Sequence, residues 1–404
     1  MSQHYSKRRS NAPSAVGRQK SVCTATHHWR HWLLAAQALC IAVSVNAQQA
    51  DSALRIELHS DRHSDALPLA KLDGSDLSTL APRSGRNLAY LRDEVRLSAP
   101  LAGGQLALLA RQSATLVASR GAVALVAAAG TTGTPATNAQ YDIHLRYTGF
   151  SGAGLAWQTG NTPGTDLAES SGTEPLLHAA GWHWQAGAQG LALARLMWRR
   201  VNGQASFAAG SNNYSFDLAS DYADDRQKFP FQRGFSAYGT ALLFNAQLAH
   251  CGDAACFGVG VRDLGRLFWR GLPRQEATLS SSTQSYDADG YVIYKPLVQG
   301  RYTQTNVSQT APATVNFDAN WRVATDWQAG LRAEWLMDFG WLPAAQLQWR
   351  GMEGIAWTAS WRVHERRLGL QAAGERWVVR VATDQLGSGA HSRELVLAWS
   401  WPFH

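Results

Sequence analysis

From Val315 to Phe403 the chain alternates apolar and polar residues with period two, in about seven short segments. That period marks strands with one greasy and one wet face. The greasy face carries Trp321, Trp327, Trp335, Trp349, Trp357, Trp361, Trp377, Trp399, Trp401 and Phe403. The wet face carries Arg322, Arg332, Glu334, Gln346, Gln348, Arg350, Arg362, Arg376 and Arg380. A slip of one residue would drive Arg322, Arg332 and Glu334 into the greasy layer, so the pattern specifies register strongly.

A soluble sandwich also alternates, but its core prefers branched aliphatic residues and its wet face is the outside. Here the greasy face is rich in tryptophan near strand ends, as in the aromatic girdles of membrane barrels. The segments run about 7–11 residues, close to the span a tilted strand needs to cross a bilayer. The wet face then lines a lumen. Leu88–Leu97, Gln105–Arg111, Tyr141–Tyr147, Trp182–Trp184, Leu191–Val201, Tyr238–Leu248, Phe257–Arg262, Gln275–Tyr286 and Tyr291–Thr305 add further strand signals. The pattern predicts an all-β fold: a closed, antiparallel, up-and-down transmembrane barrel of about 14 strands, with 12 or 16 within counting error.

Before the barrel, residues 1–47 have the form of a cleaved signal peptide. Lys7, Arg8, Arg9, Arg18, Lys20 and Arg30 make a basic leader, and Leu33–Val45 is an apolar run of 13 residues. Val45-Asn46-Ala47 supplies small residues for cleavage before Gln48. The run is shorter than the roughly 20 residues of a membrane helix. Residues 48–86 are polar and read as a periplasmic or lumenal extension, and the barrel is placed at 87–404. Thr159–Glu174 and Ser211–Gly234 read as long loops on one rim. Ala114–Ala129 fits either a short helix or a strand pair.

Charge changes meaning once the leader is set aside. The whole chain has 37 Lys and Arg against 30 Asp and Glu. Six of the basic residues and none of the acidic ones lie in the leader, leaving 31 against 30, a net +1. The mature chain therefore carries no basic excess of the kind nucleic-acid binding needs. Cys23 and Cys40 also fall in the leader. Cys251 and Cys256 are five apart, and an oxidising periplasm favours a disulfide between them across a turn.

Candidate chemistry beyond the lumen wall is sparse. His59, Asp61 and His63 could ligate a metal, although a flexible polar arm accounts for them as well. The acidic run Asp217, Asp221, Asp224 and Asp225 could hold calcium, but a solvated loop explains it better. Asp287-Ala-Asp-Gly290 begins like a calcium loop and lacks the closing glutamate. His144, His183, His364 and His391 lie in or beside strands. A barrel lipid hydrolase would need one of them beside a nucleophilic serine, and no Gly-x-Ser-x-Gly elbow is present. No metal or cofactor is expected, and no enzyme activity.

The leader, the meander and the terminal Leu395-Leu397-Trp399-Trp401-Phe403 pattern together resemble Gram-negative outer-membrane β-barrel proteins. His404 departs from that pattern, which usually ends on the aromatic. The stretch Gly258-Val-Gly-Val-Arg-Asp-Leu-Gly265 before Phe268-Trp269 is similar to the long-chain fatty-acid transporter superfamily. The resemblance implies the cell outer membrane as location, its lipids and the barrel-assembly machinery as partners, and a monomer. The strand count and the polar lumen wall point to a passive channel or transporter for small or amphiphilic molecules. The alternatives are a structural barrel of a secretion or pilus system, and a lipid-modifying enzyme. With about 14 strands the lumen is expected to be partly open.

Overall fold

A computed structural model of the chain describes residues 53–72, 79–130, 135–160, 180–227, 238–281, 284–286, 292–294, 297–351 and 354–402. The leader, the Asp287–Gly290 turn and Phe403 lie outside these residues. In chain order the first half comprises β1 (Ala53–Ser64), β2 (Arg86–Leu101), β3 (Gly104–Ser119), helix α1 (Arg120–Gly130), β4 (Ala139–Gly160), β5 (Gly181–Ala208) and β6 (Asn213–Asp224). Then come β7 (Tyr238–Cys251), β8 (Ala255–Ser280), β9 (Gln284–Tyr286), β10 (Val292–Tyr294), β11 (Val298–Thr310) and β12 (Thr314–Ala324). The low wall follows: β13 (Trp327–Leu336), β14 (Gly340–Arg350), β15 (Ala356–Arg362), β16 (Arg367–Ala373), β17 (Trp377–Thr383) and β18 (Ser392–Pro402).

Pairing closes the ring. β1 is antiparallel to β2 on one side and to β18 on the other, with Ala53 opposite Pro402 and His63 opposite Ser392. From β2 the order runs β3, β4, β5, β7, β8, β12 and on through β13 to β18, a ring of 14 antiparallel strands. The rim that carries Ala53 and Pro402 is called lower here. Among the described residues no helix is long and apolar enough to cross a membrane, which has no bearing on a strand-built barrel.

Two strands are too long for the ring and split their pairing by height. β5 pairs β7 over Gly181–Leu193 and β6 over Met197–Ala208. β8 pairs β7 and β12 low down, then β6 and β11 above. The result is a tall wall over β4–β8 facing a low wall in which β15, β16 and β17 have seven residues each.

Two expectations change. Residues 53–64 form barrel strand β1, within the stretch read as an extension. The inward residues Glu57, Asp61 and His63 are buried polar groups; outward, Leu54, Ile56 and Leu58 are apolar over the lower half only, and Ser60 and Arg62 break the greasy face above. Likewise Asn213–Asp224, read as loop, is strand β6. Its acidic residues are partnered: both Asp221 carboxylate oxygens accept hydrogen bonds from Arg274, at 2.7 and 3.1 Å. Ala114–Ala129 divides at Ser119. Its hydroxyl accepts the Ala122 amide at 3.1 Å and caps α1. Gly121 lets that helix lie on β4, where a Cβ would collide with the Asp142 backbone.

The outer face is apolar and exposed. On β13 and β14 it carries Trp327 and Trp349 low down, Leu331 and Leu347 between, and Trp335 and Trp341 above. The two tryptophan rows are eight residues apart on each strand. That is about 26 Å along the strand and about 20 Å along the barrel axis at a usual tilt. Trp321, Trp357, Trp399 and Trp401 are also exposed and extend the lower row, with Trp157, Trp182 and Trp184 on the tall wall. Trp361 is exposed at the upper end of β15, and Trp377 at the lower end of β17 is half-buried.

Candidate functional site

Alternation turns every second side chain inward, and the inward set on the low wall is charged. Arg367 pairs with Asp61 at 2.6 Å and Glu394 at 2.9 Å, and Arg380 reaches Glu394 at 3.4 Å. Gln348, Gln371 and Thr358 fill the spaces between and are buried. Arg332 donates to Asp318, and Gln346 to Asn320 at 3.3 Å. Three of the wet-face arginines stand at the lower rim: Arg322 and Arg350 at strand ends and Arg376 in the β16–β17 turn, all exposed.

One contact organises the interior. Glu334 on β13 pairs with Arg92 on β2 at 2.7 Å. These strands are seven places apart on a ring of 14, so the pair spans the bore. Arg362 and Arg262 reach the same carboxylate at 3.7 and 3.8 Å. A round ring of 14 strands would be about 28 Å across, too wide for an Arg and a Glu to meet. The ring is therefore flattened, with β2 drawn toward β13. Leu88, Tyr90 and Val117 pack on Leu336 and Leu342 across the same gap. This corrects the expected partly open lumen: flattening lets side chains from opposite walls meet and fill it.

The flattening leaves two lobes. The low-wall lobe is the ion-paired mass around Arg367. In the tall-wall lobe, Arg111 on β3 binds Asp263 on β8 through two hydrogen bonds, 2.6 and 2.8 Å. Asp263 sits at a bulge with φ 60°, its amide donating to Asn245 Oδ1 at 2.8 Å, which aims the carboxylate inward. Beside it lies a polar cavity of about 40 Å³, lined by His59, Arg92, Glu94, Arg96, Arg111 and Arg262 among others. That volume holds about three waters. Elsewhere in this lobe the inward face is apolar: Phe150, Leu193, Leu196, Trp198, Leu243, Leu267, Trp269 and Leu272 form one cluster.

At the upper rim Asp65, just past β1, collects four donors. His63 Nε2 lies 3.0 Å from one carboxylate oxygen and His364 Nε2 3.1 Å from the other. Arg83 pairs with it at 2.5 Å, and the Leu88 amide donates at 2.7 Å. Burial alone would raise the Asp65 pKa. The hydrogen bonds from His364 and His63 and from the Leu88 amide outweigh it and hold the carboxyl well below the usual range. Sequence reasoning grouped His63 with His59 and Asp61; the fold groups it with Asp65 and His364. Only spatial proximity across 299 residues of separation brings His364 to Asp65. His391 Nδ1 donates to the Ser64 carbonyl at 2.9 Å, while the hydroxyl of neighbouring Ser392 accepts from Arg367. The adjacent His391 and Ser392 thus point to different partners.

Cys251 and Cys256 form a disulfide between facing positions of β7 and β8, closing the turn at the lower rim.

No known protein family matches the chain, and no curated protein sequence matches it. Solved structures resemble it in shape. A TodX deletion mutant, described as a monoaromatic hydrocarbon channel, covers 88% of this chain and 91% of its own at 8% identity and TM-score 0.41. The CymD monoaromatic hydrocarbon channel covers 88% and 90% at 8% identity and TM-score 0.37. A mutant porin of Rh. blastica covers 87% and 99% at 8% identity and TM-score 0.24. The strand pairings themselves define the fold: a closed, 14-stranded, antiparallel β-barrel.

Proposed function

We propose that this protein is an outer-membrane channel for small or amphiphilic molecules, resting in a closed state. The Arg92–Glu334 pair carries the reading, because it closes the bore between a charged lobe and a lobe with an apolar inner lining. An amphiphile could use both surfaces. Removing both partners of a buried ion pair takes away its hold without stranding a charge, so the constriction can be loosened at Arg92 and Glu334 while Leu88 and Tyr90 stay packed on Leu336 and Leu342. The exposed outer belt of Trp, Leu and Val is the surface that lipid would cover, and it supports the membrane setting.

The test is conductance in planar bilayers. The wild type is expected to conduct weakly at neutral pH, and Arg92→Ala/Glu334→Ala to conduct several-fold more in longer openings. A double variant that folds and conducts no better than wild type would remove the channel reading. That result would favour a structural barrel of an envelope assembly, a role suggested by the filled low-wall lobe around the buried Arg367.

A further inference from the structure

We propose that the seam between the first and last strands binds the phosphate of an outer-leaflet lipid. The inference rests on the membrane placement above and is independent of conduction. On β13 and β14 the upper edge of the apolar belt is marked by Trp335 and Trp341, eight residues from the lower tryptophans. At the same spacing from Trp401, β18 carries Arg393 instead, and β1 carries Arg62, its direct cross-strand partner. Both alternate with buried inward residues, Ser392 and Glu394 on β18 and Asp61 and His63 on β1, so both face outward.

Two like charges directly opposite on one sheet face repel. Here only part of that charge is neutralised. Arg62 gives Nε and one terminal nitrogen to Asp93, at 3.3 and 2.7 Å, and Ser60 donates to the same carboxylate at 2.6 Å. Arg393 uses one terminal nitrogen on the Gly387 carbonyl. The cluster has two guanidiniums and one carboxylate, with Thr383 beside Arg393 on β17. Directly below lie Leu395, Leu397, Val379, Val381 and Ile56, all exposed. A phosphate above and acyl chains below would match this arrangement: the phosphate bridges the guanidiniums in charge-assisted bonds and the chains cover the aliphatic wall. The occupant is therefore a phosphorylated lipid, not free phosphate, because the aliphatic wall is continuous with the cluster.

The experiment is lipid binding to purified barrel in detergent, followed by native mass spectrometry. The probes are bis-phosphorylated lipid A, its dephosphorylated form and inorganic phosphate. Arg393→Gln is compared with wild type and with Arg350→Gln at the lower rim. Phosphorylated lipid A is expected to bind wild type and Arg350→Gln alike and Arg393→Gln roughly tenfold more weakly. The dephosphorylated lipid should bind all three as weakly as it binds Arg393→Gln. Equal binding of phosphorylated lipid to wild type and Arg393→Gln overturns the proposal. So does inorganic phosphate competing fully at low concentration, which would make the cluster an ion site. A barrel that conducts yet shows equal lipid binding loses this inference alone.

Discussion

Asp65 shows how a single side chain ties the upper rim together. It accepts from His63 on β1, His364 in the β15–β16 turn, the Leu88 amide on β2 and Arg83 before it. Its lowered pKa has a definite sign in stability. A carboxyl whose folded pKa lies below its unfolded value stabilises the fold above the unfolded pKa, near 4. That contribution is lost as pH falls from there toward the folded value. Urea unfolding of the barrel at a series of pH values should show wild-type stability dropping below about pH 4. Asp65→Asn is expected to be less stable at neutral pH and to lose less across the same acid window. Parallel pH curves for the two would contradict the role of Asp65. None of this was legible in sequence, because Asp65 and His364 are distant in the chain and neither stands in a recognisable motif.

Strands divide by how much of their pattern is greasy. β13 and β14 were readable because Trp, Leu and Ala hold one face and Arg, Gln and Glu the other. β1 and β6 were missed because their apolar alternation is short: Leu54, Ile56 and Leu58 in β1 and Tyr214, Phe216 and Leu218 in β6, followed by Ser60 and Arg62 or by Ser220 and Asp221. Their place is secured by pairing on both edges: β1 by β2 and β18, β6 by β5 and β8. The readable strands allow a sharp prediction. Leu331 is exposed midway between Trp327 and Trp335. Leu331→Arg should cost about 2–4 kcal/mol in unfolding from lipid bilayers, as for a cation near the midplane. A substitution there as mild as one on the lower rim would place the belt outside hydrocarbon.

At the scale of the molecule, closure and flattening are separate facts with separate causes. Closure follows from β1 meeting β18, and the number of strands was within reach of the sequence. Flattening follows from which inward side chains find one another, Arg92 with Glu334 and Leu88 with Leu342. Alternation says only that they face inward, so a partly open lumen was the natural expectation and a filled one the outcome. Taken together, the tryptophan belt faces hydrocarbon while the charges face one another inside. The direct measurement is tryptophan fluorescence of the reconstituted barrel in bilayers whose acyl chains carry bromine. The buried Trp198 and Trp269 should keep a small residual emission, and the exposed belt from Trp157 to Trp401 should be quenched by the brominated chains. Emission untouched by bromine and quenched by aqueous iodide would contradict it.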